Sequence, residues 1–445
     1  MSRDLGIAPE TLEVVDFTGS GDLPSVFAVS DFATAAVAAA GAALADFVAP
    51  KLGSLPRVTV DRRLSSLWFG WSLRPEDWKM PAVWDPIAGD YPTADGWIRL
   101  HTNAPHHRAA ALSVLGVPAD KPEVARAVAG WKAEALEGAV VQRNGCAAAM
   151  RTMADWATHA QGGSVSREPV VSIRTTDDAS DARWSPTPDR PLRGIRVLDL
   201  TRVLAGPVAT RFLAGFGAEV LRIDPPSWDE LGVIPEVTLG KRCARLDLRN
   251  AGERAVFVEL LRHTDVLVHG YRADALEKLV LDADARRVIR PGLVDVSLNA
   301  YGWSGPWRNR RGFDSLVQMS AGIAEAGMRI LGKDRPTPLP VQALDHATGY
   351  LMAAAAIRGL AQRASTARGS EARTSLARTA QLLVSEPAEK AIGEFAPAAE
   401  DEYSQSIEAT GFGPARRLRP PIAIAHAPMR WDRPAAKLGS SAPGW

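Results

Sequence analysis

The chain is predicted to be α/β, with a parallel sheet covered by helices in a larger domain and a smaller α+β domain beside it. Two observations predict the sheet. Short apolar runs at 195–200, 219–223, 265–269 and 294–298 alternate with helical patterns at 207–216, 251–262, 273–280 and 314–326. Such alternation is the mark of strands buried on both faces and joined by crossover helices. A third observation divides the chain. Residues 162–192 hold Gly-Gly, Thr-Thr-Asp-Asp and Pro-Thr-Pro, the composition of a linker. At 445 residues, two or three domains are expected.

The elements follow in order. Residues 1–24 read as a polar leader with little order. Residues 25–161 read as the smaller domain, opening with an alanine-rich helix at about 31–48. Within it Asp95-Gly96 is a hairpin signal before the strand Trp97–Leu100. Helical patterns fill roughly 105–160. The larger domain spans 193–385. It opens with Gly194-Ile-Arg-Val-Leu-Asp-Leu-Thr-Arg-Val-Leu-Ala-Gly-Pro207, read as strand, tight turn and helix, with Pro207 suited to the first helical turn. A second alanine-rich helix is expected at 346–363. Residues 386–445, rich in Pro, Arg and Gly, read as a tail laid over another surface.

Composition excludes several classes. The net charge of +1 carries no field that points to nucleic acid or to a membrane surface. The apolar run Phe32–Leu44 is too short to span a bilayer. Two cysteines, Cys146 and Cys243, make no disulfide framework, and a cytoplasmic location is expected. No signal peptide is read at the N-terminus. His101, His106 and His107 do not have the spacing of a standard ligand set, so no metal is expected.

An internal repeat is visible. Asp31-Phe-Ala-Thr-Ala-Ala-Val-Ala-Ala-Ala matches Asp345-His-Ala-Thr-Gly-Tyr-Leu-Met-Ala-Ala at an offset of 314 residues (345 − 31). The shared Asp-x-Ala-Thr start favours a duplication over a chance likeness of two alanine-rich helices.

The candidate chemistry lies in the second half. The Thr201–Pro207 loop lacks the dinucleotide fingerprint, although free N–H groups at a helix start still suit a phosphate, with Arg202 beside them. Asp345 falls at an expected N-cap, and two readings stand: a capping carboxylate or a nucleophile. Gly349 would allow a ligand close to the backbone. The loop 301–314 carries aromatics and three arginines, suited to an anionic ligand containing a purine, or else to solvent. Gly240-Lys241-Arg242 forms a second compact basic site. Gly270-Tyr271-Arg272 follows a strand end, where ligands bind in open α/β sheets.

Taken together, the 194–207 stretch, Gly217–Asp224, Gly240–Leu248, Asp265–Arg272, Arg311-Gly-Phe-Asp314 and Ala343–Gly349 resemble family III CoA-transferases, continuously over about 193–385. The resemblance implies a Rossmann-like large domain, a small domain and an interlocked homodimer. It implies Asp345 as the nucleophile. It implies CoA contacts from Arg202, Val203 and Ala205, from Lys241 and Arg242, from Gly270, Tyr271 and Arg272, and from Lys278. The implied activity is CoA transfer between an acyl-CoA and a carboxylic acid through aspartyl anhydride and aspartyl-CoA thioester intermediates. CoA is then a substrate, with no permanently bound cofactor. Departures are present. Leu204 stands where a glutamine often does, and Asn299 where a basic residue does, which weakens an oxalate or formate substrate. Phe313 replaces the histidine of racemase members. An acyl-CoA racemase or isomerase and a non-catalytic CoA-binding homologue remain alternatives. The order is also rearranged: residues 25–160 resemble the family's second half, with Asp31 as a possible second nucleophile.

Overall fold

The computed structural model describes residues 1–179, 186–272, 274–386 and 395–445. A seven-stranded sheet forms the large domain. Its strand order is Lys241–Arg245, Glu219–Asp224, Arg196–Leu200, Val266–His269, Val294–Asn299, Arg368–Ser375, Ser172–Ala179. The first six strands run parallel and the last is antiparallel. The alternation of side chains along each strand sorts two cores. Val197, Val220, Val266, Val268, Val294 and Val296 face one core with the helices Ala205–Gly215 and Ala343–Thr366. Leu198, Leu200, Leu221, Ile223 and Leu267 face the other with Phe257, Leu260 and Leu261 of the helix Ala251–Arg262. Both faces are covered, which is why these strands read as unbroken apolar runs.

Several expectations are corrected. The stretch 162–192 is no simple linker. It contributes the edge strand Ser172–Ala179, whose Ser-Ile-Arg-Thr-Thr-Asp-Asp-Ala sequence reads as polar because only one side is paired. Strands at Lys241–Arg245 and Arg368–Ser375 also escaped prediction, since their charged residues pair rather than pattern. The leader holds the helix Pro9–Glu13 and the strand Val15–Thr18. The tail supplies Ile422–Ile424, which pairs with Val58–Asp61, itself paired with Val15–Thr18. The helix expected at 314–326 is broken into Asp314–Ser320 and Ile323–Ile330 by Gly322 at φ +81°. At 273–280, only the 3₁₀ turn Glu277–Leu279 is seen among the described residues.

The smaller domain carries the antiparallel sheet Gly89–Pro92, Trp97–Leu100 and Ala147–Ala149, with the predicted Asp95-Gly96 turn in its first hairpin. Helices Pro105–Leu115, Lys121–Ala129 and Ala133–Gln142 cover it.

The repeat is structural. Helices Val29–Leu52 and Ala343–Thr366 each have 24 residues and pack against each other. Their N-caps, Ala28 (φ −74°, ψ 59°) and Gln342 (φ −76°, ψ 64°), share one backbone conformation. Both helices end in a left-handed residue, Gly53 and Ala367. Each is followed by a strand and a capped helix, with N-caps Asp61 and Ser375. The helix ends, their caps and the start of the following capped helix keep the 314-residue offset. The helix Val29–Leu52 is longer than its sequence suggested and apolar enough to cross a bilayer, but 83% of its most apolar window is buried inside the protein. It is a core helix here.

Candidate active site

Asp345 is the third residue of its helix, not the N-cap, so its carboxylate does not cap its own helix. It is 6% exposed. The capping function falls to Asp314, the first residue of the helix Asp314–Ser320. Asp314 Oδ2 accepts the Asp345 backbone N–H at 2.9 Å, and its Oδ1 accepts Gln318 Nε2 at 2.5 Å. Gln318 Oε1 in turn accepts the Leu339 N–H at 2.7 Å. A chain of hydrogen bonds thus fixes the loop before Asp345 and the start of its helix.

Two carboxylates are thereby buried side by side. Burial is the main cause that raises the Asp345 pKa well above the ordinary range, with Asp314 and Glu230 adding repulsion. Asp314 is also raised by burial, but Gln318 and backbone N–H groups favour its charged form. Asp314 is therefore the member that ionises first. Among the described residues no cation lies within ion-pair distance of Asp345.

The first loop stands against this helix. A Cβ on Gly349 would lie 2.4 Å from the Ala205 carbonyl oxygen. Gly349 thus serves the approach of the Ala205–Gly215 helix, a correction to its expected part in ligand approach. Val203 sits at φ +63°, a strained conformation for a β-branched residue. Its N–H is held by both Glu230 oxygens, at 2.9 and 3.0 Å. Beneath the loop, Asp199 accepts from the Thr201 N–H at 2.9 Å, Thr210 Oγ1 at 2.6 Å and Lys241 Nζ at 3.0 Å.

This placement corrects the basic Lys241-Arg242 pair. Lys241 is 1% exposed, and its ammonium bonds Asp199 and, at 2.9 Å, the Pro207 carbonyl; burial lowers its pKa to about 8. It braces the first loop from below. Arg242 pairs with Glu219 at 3.3 Å and reaches the Ala442 carbonyl of the tail. The turn fares differently. Gly270 is exposed, and Tyr271 and Arg272 are half-buried. Tyr271 OH accepts Arg202 Nη2 at 3.2 Å, while the Arg202 guanidinium lies 4.6 Å from the Trp228 ring. Lys278 is exposed and bonds Asp274 at 2.5 Å.

The smaller domain closes the other side. The His101 ring stacks on Phe313 with centroids 3.7 Å apart and planes at 8°, and Trp84 meets His101 edge-on at 5.7 Å. Burial lowers the His101 pKa well below its usual range, so the ring is neutral. Within the 301–314 loop, Arg310 pairs with Glu137 at 2.9 Å and covers Trp307, and Asn299 closes the turn onto Gly302. Much of this loop therefore binds the smaller domain instead of standing free. Sequence reasoning missed Asp314, Gln318 and Glu230. An Asp followed four residues later by Gln at a helix start was the available signal for the first two; Glu230 had none.

Asp31 differs from Asp345. Its side chain is 66% exposed and paired with Arg62, which also holds Asp22. No first-loop equivalent precedes it in the described structure, and Ala35 stands where Gly349 does in the other copy.

Comparison with known proteins places these features. Residues 192–434 match the family model of CoA-transferase family III. The acetyl-coenzyme A transferase nodX of Hypoxylon pulicicidum is 31% identical over 204 residues, covering 43% of this chain and 34% of the relative. The succinyl-CoA–L-malate CoA-transferase beta subunit of Chloroflexus aurantiacus is 34% identical over 195 residues, covering 40% and 47%. The crystal structure of a Mycobacterium tuberculosis protein, named a probable fatty acyl-CoA transferase, is 30% identical, covers 45% of this chain and 59% of its own, and aligns with a TM-score of 0.41. The chain thus spans about a third to a half of the length of these curated relatives. With the matched residues holding the first loop, the turn at Gly270, the Asp314–Asp345 pair and the strands that position them, the chain belongs to CoA-transferase family III.

Proposed function

We propose that the chain transfers CoA from an acyl-CoA to a carboxylic acid with Asp345 as nucleophile. The observation that carries this reading is the burial of Asp345 against Asp314 at a helix start, directly under the first loop. A carboxylate withdrawn from water and cations is a poor ion-pair partner and a strong nucleophile once ionised.

The steps balance as follows. The Asp345 carboxylate attacks the donor thioester carbonyl, and CoA thiolate leaves from a mixed anhydride. The thiolate attacks the aspartyl carbonyl and releases the donor acid, leaving an aspartyl-CoA thioester. The acceptor carboxylate attacks that thioester, giving a new anhydride and thiolate. The thiolate takes the acceptor acyl group and frees Asp345. Backbone N–H groups near Gly206 are suited to the transient oxyanions. The family resemblance further supports a homodimer, which sedimentation would test.

The test is to mix the chain with an acyl-CoA donor and hydroxylamine. Hydroxamate formation at Asp345, located by mass spectrometry, is expected. No modification with a broad panel of donors, or full activity in Asp345→Asn, would overturn the reading. A second reading has one observation in its favour: His101 brings an imidazole onto Phe313, the position that carries histidine in racemases. Exchange of an α-proton of acyl-CoA in deuterated water without transfer would select it.

A further inference from the structure

A cavity of about 60 Å³ lies on the sheet face opposite the Asp345 helix, with room for about four to six waters. Strand register builds its floor. His269 is opposite Ser297, and Ser297 is opposite Arg373, so these residues form one row across neighbouring strands. Adjacent strands lie about 4.8 Å apart. Val268, Val296 and Ala372, one residue back along each strand, face the core that holds the Asp345 helix. Alternation therefore turns His269, Ser297 and Arg373 to the other side, where all of them line the cavity.

His269 is 7% exposed, and among the described residues no group bonds its Nδ1. Its Nε2 lies 3.3 Å from Asp295 Oδ1. Asp295 is ionised, its Oδ2 accepting Arg286 Nε at 2.8 Å and Nη2 at 2.5 Å. A carboxylate can only accept, so the ring proton belongs on Nε2 and Nδ1 is left as an acceptor. Burial keeps the ring neutral by lowering its pKa. A ligand must therefore bring a donor, and between Arg286 and Arg373 an uncharged hydroxyl suits better than an ammonium. At the other end of the row the Arg373 side chain is 48% exposed and its guanidinium lies 5.0 Å from the Trp303 ring. Its ion-pair partner Glu371, at 3.6 Å, is already held by Arg174 at 3.0 Å and by Arg287. Arg373 thus shares one carboxylate with other cations and retains capacity for another. The rim is shared with Arg272 and Glu277, whose charges offset.

We propose that this cavity is a second acid site, which receives a short hydroxy acid of the size of glycolate or lactate, its carboxylate on Arg373 and its hydroxyl donated to His269 Nδ1. The sheet stands between this site and Asp345, so the acid bound here is not the one that reacts. The proposal does not rest on the CoA-transfer reading.

The test is calorimetric titration of the full chain with glycolate and with acetate, which lacks the hydroxyl. Glycolate is expected to bind about tenfold more tightly than acetate, through one hydrogen bond to a buried acceptor. Arg373→Gln should weaken both acids about tenfold. His269→Phe should abolish the preference for glycolate and leave acetate binding in place. If His269→Phe does not fold, the glycolate-to-acetate ratio of the native chain and Arg373→Gln decide. Asp345→Asn should bind glycolate as the native chain does, and adenosine 3′,5′-bisphosphate should not displace it. No glycolate binding, equal binding of the two acids, or binding unchanged in Arg373→Gln overturns the proposal. Loss of glycolate binding in Asp345→Asn overturns it in favour of the catalytic cleft, and displacement by the bisphosphate overturns it in favour of a CoA contact. Failure of the hydroxylamine trap with intact glycolate binding would overturn the transfer reading and leave the acid site standing.

Discussion

The two 24-residue helices are the same local structure in two settings. Both begin with an aspartate as the third residue, share N-cap geometry and are followed by strand and capped helix at the same offset. Yet Asp31 is exposed and ion-paired, while Asp345 is buried against a second carboxylate. The difference comes from what surrounds them. The Asp345 helix start meets Asp314, the first loop and the Gly349–Ala205 contact. The Asp31 helix start meets Arg62 and Asp22. A helix opening on aspartate is thus a scaffold, and the burial and charge of that aspartate are set by the elements packed on it.

The comparison is broken most directly by neutralising each aspartate. Asp345→Asn should reduce CoA transfer about 10³-fold or more, as loss of a covalent nucleophile does. Asp31→Asn should leave turnover unchanged; a comparable loss there would make Asp31 a second active centre. Next in size is exchange of the matched small residues. Gly349→Ala forces a Cβ onto the Ala205 oxygen and should cost about 2–3 kcal/mol by chemical denaturation. Ala35→Gly should cost about 1 kcal/mol, the ordinary helix penalty. Equal costs would mean that the first loop is not held against Gly349.

The carboxylate pair predicts a pH effect. Asp345 has its pKa raised, so transfer should rise with pH well above the ordinary carboxylate range. Removing the neighbouring charge in Asp314→Asn should lower the Asp345 pKa and move this acid limb down by about one unit. A limb that does not move would exclude Asp314 as the perturbing charge. The smallest effect is on stability. Below about pH 3 Asp345 is protonated in both folded and unfolded chains and contributes nothing. As pH rises, the unfolded chain ionises first, so the folded state loses relative stability until the raised folded pKa is passed. Asp345→Asn should therefore melt about 2 °C higher at pH 8, and near the native value at pH 3. Breaking the exposed pair through Arg62→Gln should cost within about 1 kcal/mol, the range of surface ion pairs.

Much of this was readable beforehand, for identifiable reasons. The four central strands of the sheet are apolar on both sides, so Val197–Leu200 and Val294–Leu298 announced themselves. The first-loop turn, the hairpin at Asp95-Gly96 and the duplication around Asp31 rest on residue types with local meaning. The edge strand Ser172–Ala179 and the charged strand Lys241–Arg245 carry little such meaning. Polar strand residues are specified by pairing partners distant in sequence. The same holds for Lys241: its place in a Gly-Lys-Arg run looked like a ligand contact, and only Asp199 beneath it explains its burial.

The sequence by itself determined the parallel sheet, the repeated helix and the aspartate at position 345, because periodicity and local backbone preference are written along the chain. Only the tertiary structure decided which aspartate is buried and which is exposed and ion-paired. Asp314 and Glu230 act on Asp345 through space. Burial and charge are properties of neighbours, and these neighbours lie far from Asp345 in sequence.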